Sequence, residues 1–371
     1  MIAQIFNSSL ISGPETLILP NLKFIKTPYC IIWLKEVRVD EAKNEKVLTY
    51  FKSFADVHII PVTSKRDTKA AALLKKKLEE LKITIAHAHD VKATYILDLS
   101  GASKNYKRIS THHGVHARSG LSVVLYEQFY SRFILPQMDK VITVCSTDKP
   151  ILVDRGIKAK NVIVHLNGVD RPKITWEERE TLKTKIRESW GIKVSANEKV
   201  YGIVARLADE KDHALALRCV ARLKDLPFKV YCFGLGPEEE RLKAMTKELG
   251  LEDKVIWMGY RGTLGQELAG FDGLLSFSRA EGLPINMIEA GWASTPIFAR
   301  VVDGVADLIP NKEFGFPFPM DEKLEKIESR FREFYKTDGE KQARNMLSRV
   351  ENDFSGRSWA QQMDKIVEIL N

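Results

Sequence analysis

Cysteine is scarce in this chain: Cys30, Cys145, Cys219 and Cys232 are widely scattered and never fall in a Cys-x-x-Cys spacing. That argues against a disulfide framework or a cysteine zinc site and fits a reducing compartment such as the cytoplasm. Long apolar runs are missing too, since none approaches the roughly 20 residues needed to span a bilayer. Met1 to Leu10 carry no basic segment followed by an apolar stretch. The expectation is a protein neither exported nor membrane-spanning. There is no internal repeat and no low-complexity segment. With 44% hydrophobic and 29% charged residues, the composition is that of a folded globular protein rather than a disordered one.

At 371 residues the chain exceeds one compact core of ordinary size, so two domains with a cleft between them are expected. The net charge of +8 is unevenly placed: residues 1 to 167 carry +10 and the remainder −2. A basic half attracts phosphates, anionic lipid or nucleic acid, and charge alone does not choose among them. No nucleic-acid reading motif accompanies it, so nucleic acid is not an expected partner.

Short β-rich runs alternate with helical stretches: Ile2 to Phe6, Tyr29 to Leu34, Asp56 to Val62, Ile83 to His87, Arg108 to Thr111, Lys140 to Val144 and Asn161 to His165. A second series comprises Lys199 to Ala205, Lys229 to Phe233, Lys254 to Met258, Gly273 to Phe277 and Pro296 to Ala299. Strands that recur after each helix read as βαβ units, because a parallel return needs a crossover long enough to be a helix. Two doubly wound sheets follow, with a hinge near Asn167, Gly168 and Val169. The expected domains are 1–167 and 168–353, with a final stretch, 354–371, that could complete the first.

In open parallel sheets, ligands bind beyond the carboxyl ends of the strands, where helix N-termini offer N–H donors to anions. Arg206 and Lys211 follow the strand Val200 to Ala205 and could neutralise a diphosphate, the one through a planar fork and the other as a point charge. The plainer alternative is two surface charges at a helix cap. Glu281, Gly282, Leu283 and Pro284 follow Gly273 to Phe277 and lead into a helix from Ile285, with Glu289 in its first turns. The glycine permits close approach to a phosphate, and Glu289 could accept bonds from ribose hydroxyls or simply complement the helix dipole.

Ser278-Arg-Ala-Glu-Gly-Leu-Pro-Ile-Asn-Met-Ile-Glu-Ala290 closely resembles the Glu-x7-Glu segment of the retaining group 1 glycosyltransferases of GT-B fold. Val164 to Asp170 resembles that family's interdomain Asn-Gly-Val-Asp. Gly202 to Leu207 with Lys211 resembles its phosphate-binding strand, and Gly234-Leu-Gly-Pro237 and Trp257-Met-Gly-Tyr260 resemble its later turns. Ser12-Gly13-Pro14-Glu15 falls where the family has a glycine-rich loop beside the donor diphosphate, with Pro14 replacing a second glycine and removing one N–H donor. His113, before Gly114, matches the position that faces the donor sugar in the family. For His87 and His89 a structural role is the plainer reading, whereas for the neighbouring His112 and His116 the structural and functional readings stay open.

The resemblance implies an α/β architecture of two doubly wound Rossmann-like domains facing a cleft, and a retaining hexosyltransferase using a UDP or GDP sugar. Arg206 and Lys211 would bear the leaving-group charge, Glu281 would orient the sugar or diphosphate, and Glu289 would hold the ribose. Tyr260 and Arg261 would lie near the base. The chain contains no Asp-x-Asp, so neither cofactor nor metal is expected. The implied acceptor is a glycan or lipid-linked molecule of cell-envelope polysaccharide or lipopolysaccharide synthesis. The aromatic stretch Arg118 to Gln137, with Lys75, Lys76 and Lys77, suggests contact with an anionic surface at the inner face of the membrane, and an ordinary core helix is the alternative. Competing readings are a nucleotide-sugar epimerase or hydrolase of the same fold, or a non-catalytic nucleotide-sugar-binding partner subunit.

Overall fold

The structure, a computed structural model, describes residues 1–11, 13–114, 127–195, 197–262 and 264–370. It divides into two compact units, one of residues up to Gly168 and from Gly356 onward, the other Val169–Ser355.

In the first unit the strands β1 (Ile2–Phe6), β2 (Tyr29–Glu36), β3 (Val57–Val62), β4 (Ile85–Ala88), β5 (Lys107–His112), β6 (Lys140–Thr143) and β7 (Val162–Val164) form one sheet. Its order is β3-β2-β1-β4-β5-β6-β7, and its pairings are parallel. The helices α1 (Gly13–Asn21), α2 (Glu41–Lys52), α3 (Thr68–Glu80), α4 (Val91–Leu99) and α5 (Asp148–Asp154) connect them. Aspartates start three of these helices: Asp40, Asp67 and Asp90 accept from the backbone N–H groups of Ala42, Ala70 and Ala93, which would otherwise lack partners. The bonds from Ala70 and Thr63 hold the Asp67 carboxyl down at about 2. Ile5, Ile32, Leu34, Leu74, Leu78, Ile96 and Val141 are fully buried in the core on which the sheet rests.

The second unit repeats the design. β8 (Lys199–Val204), β9 (Phe228–Phe233), β10 (Val255–Gly259), β11 (Gly273–Ser276), β12 (Ile297–Arg300) and β13 (Phe316–Phe318) pair in the order β10-β9-β8-β11-β12-β13, again in parallel. Around them lie α6 (Trp176–Ser189), α7 (His213–Ala221), α8 (Glu239–Glu248), α9 (Ile285–Trp292), α10 (Val305–Leu308), α11 (Leu324–Lys336) and α12 (Glu340–Asp353). Thr175 and Glu178 form a reciprocal capping box at the start of α6. Tyr201, Phe228, Phe298, Phe318, Phe331 and Phe334 make an aromatic core with ring centroids mostly between 5 and 6 Å apart, the spacing at which tilted and edge-to-face rings attract.

The α/β expectation of two doubly wound sheets is met. Each order reverses beside its first strand, between β1 and β4 and between β8 and β11, and such reversals open the crevice that receives ligands. The second sheet gains β13, which the sequence reading left out: it is three residues long and contains Pro317. The C-terminal helix Gly356–Leu370 belongs to the first unit, where Trp359 stacks on His165 with centroids 4.9 Å apart and its carbonyl accepts from His165 Nε2 at 2.9 Å.

Candidate functional site

In the second unit the segments that follow β8 and β11 meet at the reversal of strand order. Lys211 Nζ stands 2.6 Å from Glu281 Oε1, with side chains only 19% and 11% exposed. These two residues, 70 positions apart and selected separately in the sequence, are therefore one ion pair. The backbone around them is laced together. Arg279 N–H donates to the Glu210 carbonyl at 2.8 Å, the Arg279 guanidinium reaches the Asp209 carboxylate, and the Glu281 N–H donates to Asp303 at 3.0 Å. Asn286 Nδ2 donates to the carbonyl of Val204 at 2.7 Å and fixes the start of α9 against the end of β8. Asp303 itself sits at φ 36, a left-handed conformation that a non-glycine residue adopts at some strain. Asp303 carried no recognised signal in the sequence.

Arg206 lies differently. Its side chain is 66% exposed and pairs with Glu210 at 2.5 Å, one helical turn away. Exposed pairs of this kind stabilise by about 0–1 kcal/mol, so the guanidinium is readily released to another anion. Lys211 has three N–H donors and can serve a second acceptor while keeping Glu281.

Gly282, Leu283 and Pro284 turn the chain into α9, with Leu283 buried and Pro284 at the N-cap, where no N–H is needed. Glu289 is buried in the second turn of α9, and Arg171 Nε and NH2 both bind its Oε1, at 2.7 and 2.5 Å. Desolvation pushes this carboxyl above its ordinary value, while the guanidinium pulls it down. Arg171 was not singled out in the sequence, although it directly follows the Asn-Gly-Val-Asp run. Tyr260 and Arg261 lie beyond β10, exposed, with Tyr260 72% accessible. The turn Gly234-Leu-Gly236 needs its glycines: a Cβ at Gly234 would stand 2.0 Å from the Ala205 carbonyl oxygen, and one at Gly236 2.2 Å from that of Leu207. This close approach presses the β9–α8 turn against the segment carrying Arg206.

The first unit collects histidines beside its own reversal. His89 Nε2 donates to Gln4 Oε1 at 2.5 Å and the ring stacks on Phe6. His87 Nε2 meets Thr111 Oγ1 at 2.7 Å, and the two rings lie 4.0 Å apart. His113 Nε2 donates to the His89 carbonyl at 3.1 Å, which leaves the lone pair of the neutral ring on Nδ1. Burial lowers all of them, His87 to about 3, His113 and His165 to about 4, and His89 well below the ordinary histidine range. His112 is buried at the end of β5 with the Glu127 carboxylate 3.3 Å away. Gly13 opens α1 with Pro14 second, and a Cβ there would meet nothing within 4 Å, so no described neighbour requires glycine. The Glu15 carboxylate is buried behind it and accepts from Ser8 Oγ. Ser12 and His116 lie outside the described residues, as does 118–126 of the aromatic stretch. Of its remainder, Tyr130 and Leu135 are buried, whereas Phe129 and Phe133 are 43% and 58% exposed with rings 5.0 Å apart. Among the described residues no helix is long and apolar enough to cross a membrane.

Two family models match the chain, "Glycosyl transferases group 1" over residues 183–351 and "Glycosyltransferase Family 4" over residues 40–172. Among curated proteins, it is 26% identical over 199 residues to the N-acetylgalactosamine-N,N'-diacetylbacillosaminyl-diphospho-undecaprenol 4-alpha-N-acetylgalactosaminyltransferase of Campylobacter jejuni, covering 53% of this chain and 51% of the relative. It is 31% identical over 87 residues to the lipopolysaccharide 1,6-galactosyltransferase of Escherichia coli, covering 22% of this chain and 24% of the relative. The chain thus matches about half, or less, of the length of these relatives. Among solved structures, Anabaena HepE in complex with UDP and glucose superposes with a TM-score of 0.77 at 18% identity, covering 99% of both chains.

Proposed function

The chain belongs to the group 1 glycosyltransferases of GT-B fold, and on that premise we propose that it moves a hexose-type sugar from a UDP or GDP sugar to a glycan or lipid-linked acceptor, with retention and without a metal. The observation that carries the reading is the Lys211–Glu281 pair at the switch point of the second sheet, with the labile Arg206–Glu210 pair on the same segment. A diphosphate arriving there displaces the weak partner of Arg206 and shares the ammonium of Lys211. Two fixed cations then compensate the charge that grows on the leaving group as the anomeric bond breaks. Glu281 keeps a carboxylate beside the sugar or diphosphate, Glu289 accepts from ribose hydroxyls, and Tyr260 and Arg261 lie near the base. Gly13 lets the donor approach α1 closely. His113, neutral at pH 7 and carrying an N–H toward the His89 carbonyl, turns Nδ1 to the donor sugar.

The UDP held by the Anabaena protein supports a uridine donor, and the undecaprenol-linked and lipopolysaccharide acceptors of the two curated relatives support a cell-envelope product. A thermal-shift panel in EDTA tests the donor reading. UDP or GDP raises the melting temperature by mass action and AMP does not, and a shift that appears only with added magnesium counts against fixed cations. An epimerase or hydrolase of the same fold would instead turn the donor over without acceptor as fast as its best transfer rate.

Association with an anionic membrane is a further part of this proposal, resting on the exposed Phe129 and Phe133 and the exposed Lys75 and Lys76. Vesicles containing phosphatidylglycerol are expected to sediment the protein where phosphatidylcholine vesicles do not. Serine at both phenylalanines lowers the bound fraction about threefold or more, because apolar burial and lipid charge add. Equal binding to both vesicle types would remove the membrane from the proposal.

A further inference from the structure

We infer that Arg171 is a positioning residue that aims the Glu289 carboxylate at the donor ribose and so sets the preference for ribonucleotide donors. The inference rests on the reading of Glu289 as the ribose ligand. Both guanidinium contacts fall on Oε1, from Nε at 2.7 Å and NH2 at 2.5 Å, which leaves Oε2 to accept from a ligand hydroxyl. The fork is fixed from its other side as well, since Arg171 NH1 donates to the Asp170 carbonyl at 2.9 Å. The segment that carries it is laced to the end of α9. Trp292 Nε1 donates to the Val169 carbonyl at 2.7 Å, Ile174 N–H to the Trp292 carbonyl at 2.9 Å, and Ser294 Oγ to the Ile174 carbonyl at 2.7 Å. Arg171 is therefore held rigidly against the helix bearing Glu289. A carboxylate buried this deeply keeps its charge and a single rotamer only while a cation stays beside it. A planar fork fixes direction in a way that a point charge does not.

Calorimetric binding of UDP and of 2′,3′-dideoxy-UDP to the wild-type protein and to E289Q, R171M and R171K tests this, with the guanosine pair used where UDP does not bind. Hydrogen bonds to a charged group imply a wild-type preference for the ribonucleotide of about tenfold or more, falling to within about twofold in E289Q and R171M. R171K keeps a cation but loses the fork, and its preference falls between the two. If E289Q loses the preference and R171M keeps it, Arg171 does not aim the carboxylate and the inference is overturned. If E289Q keeps it as well, the ribose reading of Glu289 falls, and failure of both nucleotides to bind removes the donor reading itself. Should R171M not fold, R171K decides: a preference lowered about threefold or more supports the role, and an unchanged one overturns it.

Discussion

Alanine at Lys211 is expected to lower kcat/KM for sugar transfer about 10²- to 10³-fold, the range seen when one preorganised charge-stabilising donor is removed from a transition state. Most of the loss should fall in kcat, since the ammonium meets more negative charge as the diphosphate departs than in the ground state. The protein should also become less stable. Glu281 is left with an 11% exposed side chain and no cation, and an unmatched buried group of this kind costs about 1–3 kcal/mol. The two losses separate in the double variant K211A/E281Q, which recovers melting temperature and not turnover. Initial rates of nucleotide diphosphate release together with thermal melts decide the matter, and a Lys211→Ala enzyme with wild-type kcat would remove this residue from the chemistry.

The second large effect is acid sensitivity. His87 and His165 are held at about 3 and about 4 by burial, below the ordinary value near 6.5 that they regain in the unfolded chain. The unfolded state therefore binds protons first. The stabilisation is complete above pH 6.5 and is lost as the pH falls from there toward 4. At pH 5 each of these two histidines accounts for roughly 2 kcal/mol, and His89, shifted in the same direction, adds to them. Among its described residues the second unit has one comparable group, His213, at about 4. Melting followed against pH should show the first unit failing at higher pH than the second. His87→Gln with His165→Gln flattens its acid limb, and an acid limb that those substitutions leave unchanged would place the sensitivity elsewhere.

The two-sheet plan was legible because short β-rich runs are separated by helix-length connections, and these runs survive in β1 to β12 with ends moved by one or two residues. β13 was not legible: Phe316-Pro-Phe318 is too short to show a period and its proline argues against a strand. The family was legible from ordered motifs. Those motifs named Lys211, Glu281 and Glu289 one at a time, and the pairing of Lys211 with Glu281 across 70 positions and of Arg171 with Glu289 across 118 comes from the fold alone. Local spacing carries no information on contacts that distant. Asp303 was hidden for the same reason, since nothing in the order of residues says that a turn after β12 caps the Glu281 N–H. His87, His89, His112 and His113 could be listed from strand ends, while the bonds of His89 to Gln4 and of His113 to the His89 carbonyl needed the packed sheet, and that of His165 to the Trp359 carbonyl needed the returning helix.

That returning helix imposes an order on the birth of the molecule. The chain leaves its first unit at Gly168 and re-enters it only at Gly356, so Trp359, the cover of His165, leaves the ribosome after the whole of the intervening unit. Val169–Ser355 is synthesised in full before Trp359 is joined to it. The earlier half must wait, with His165 bare, for the residues from Gly356 onward to arrive.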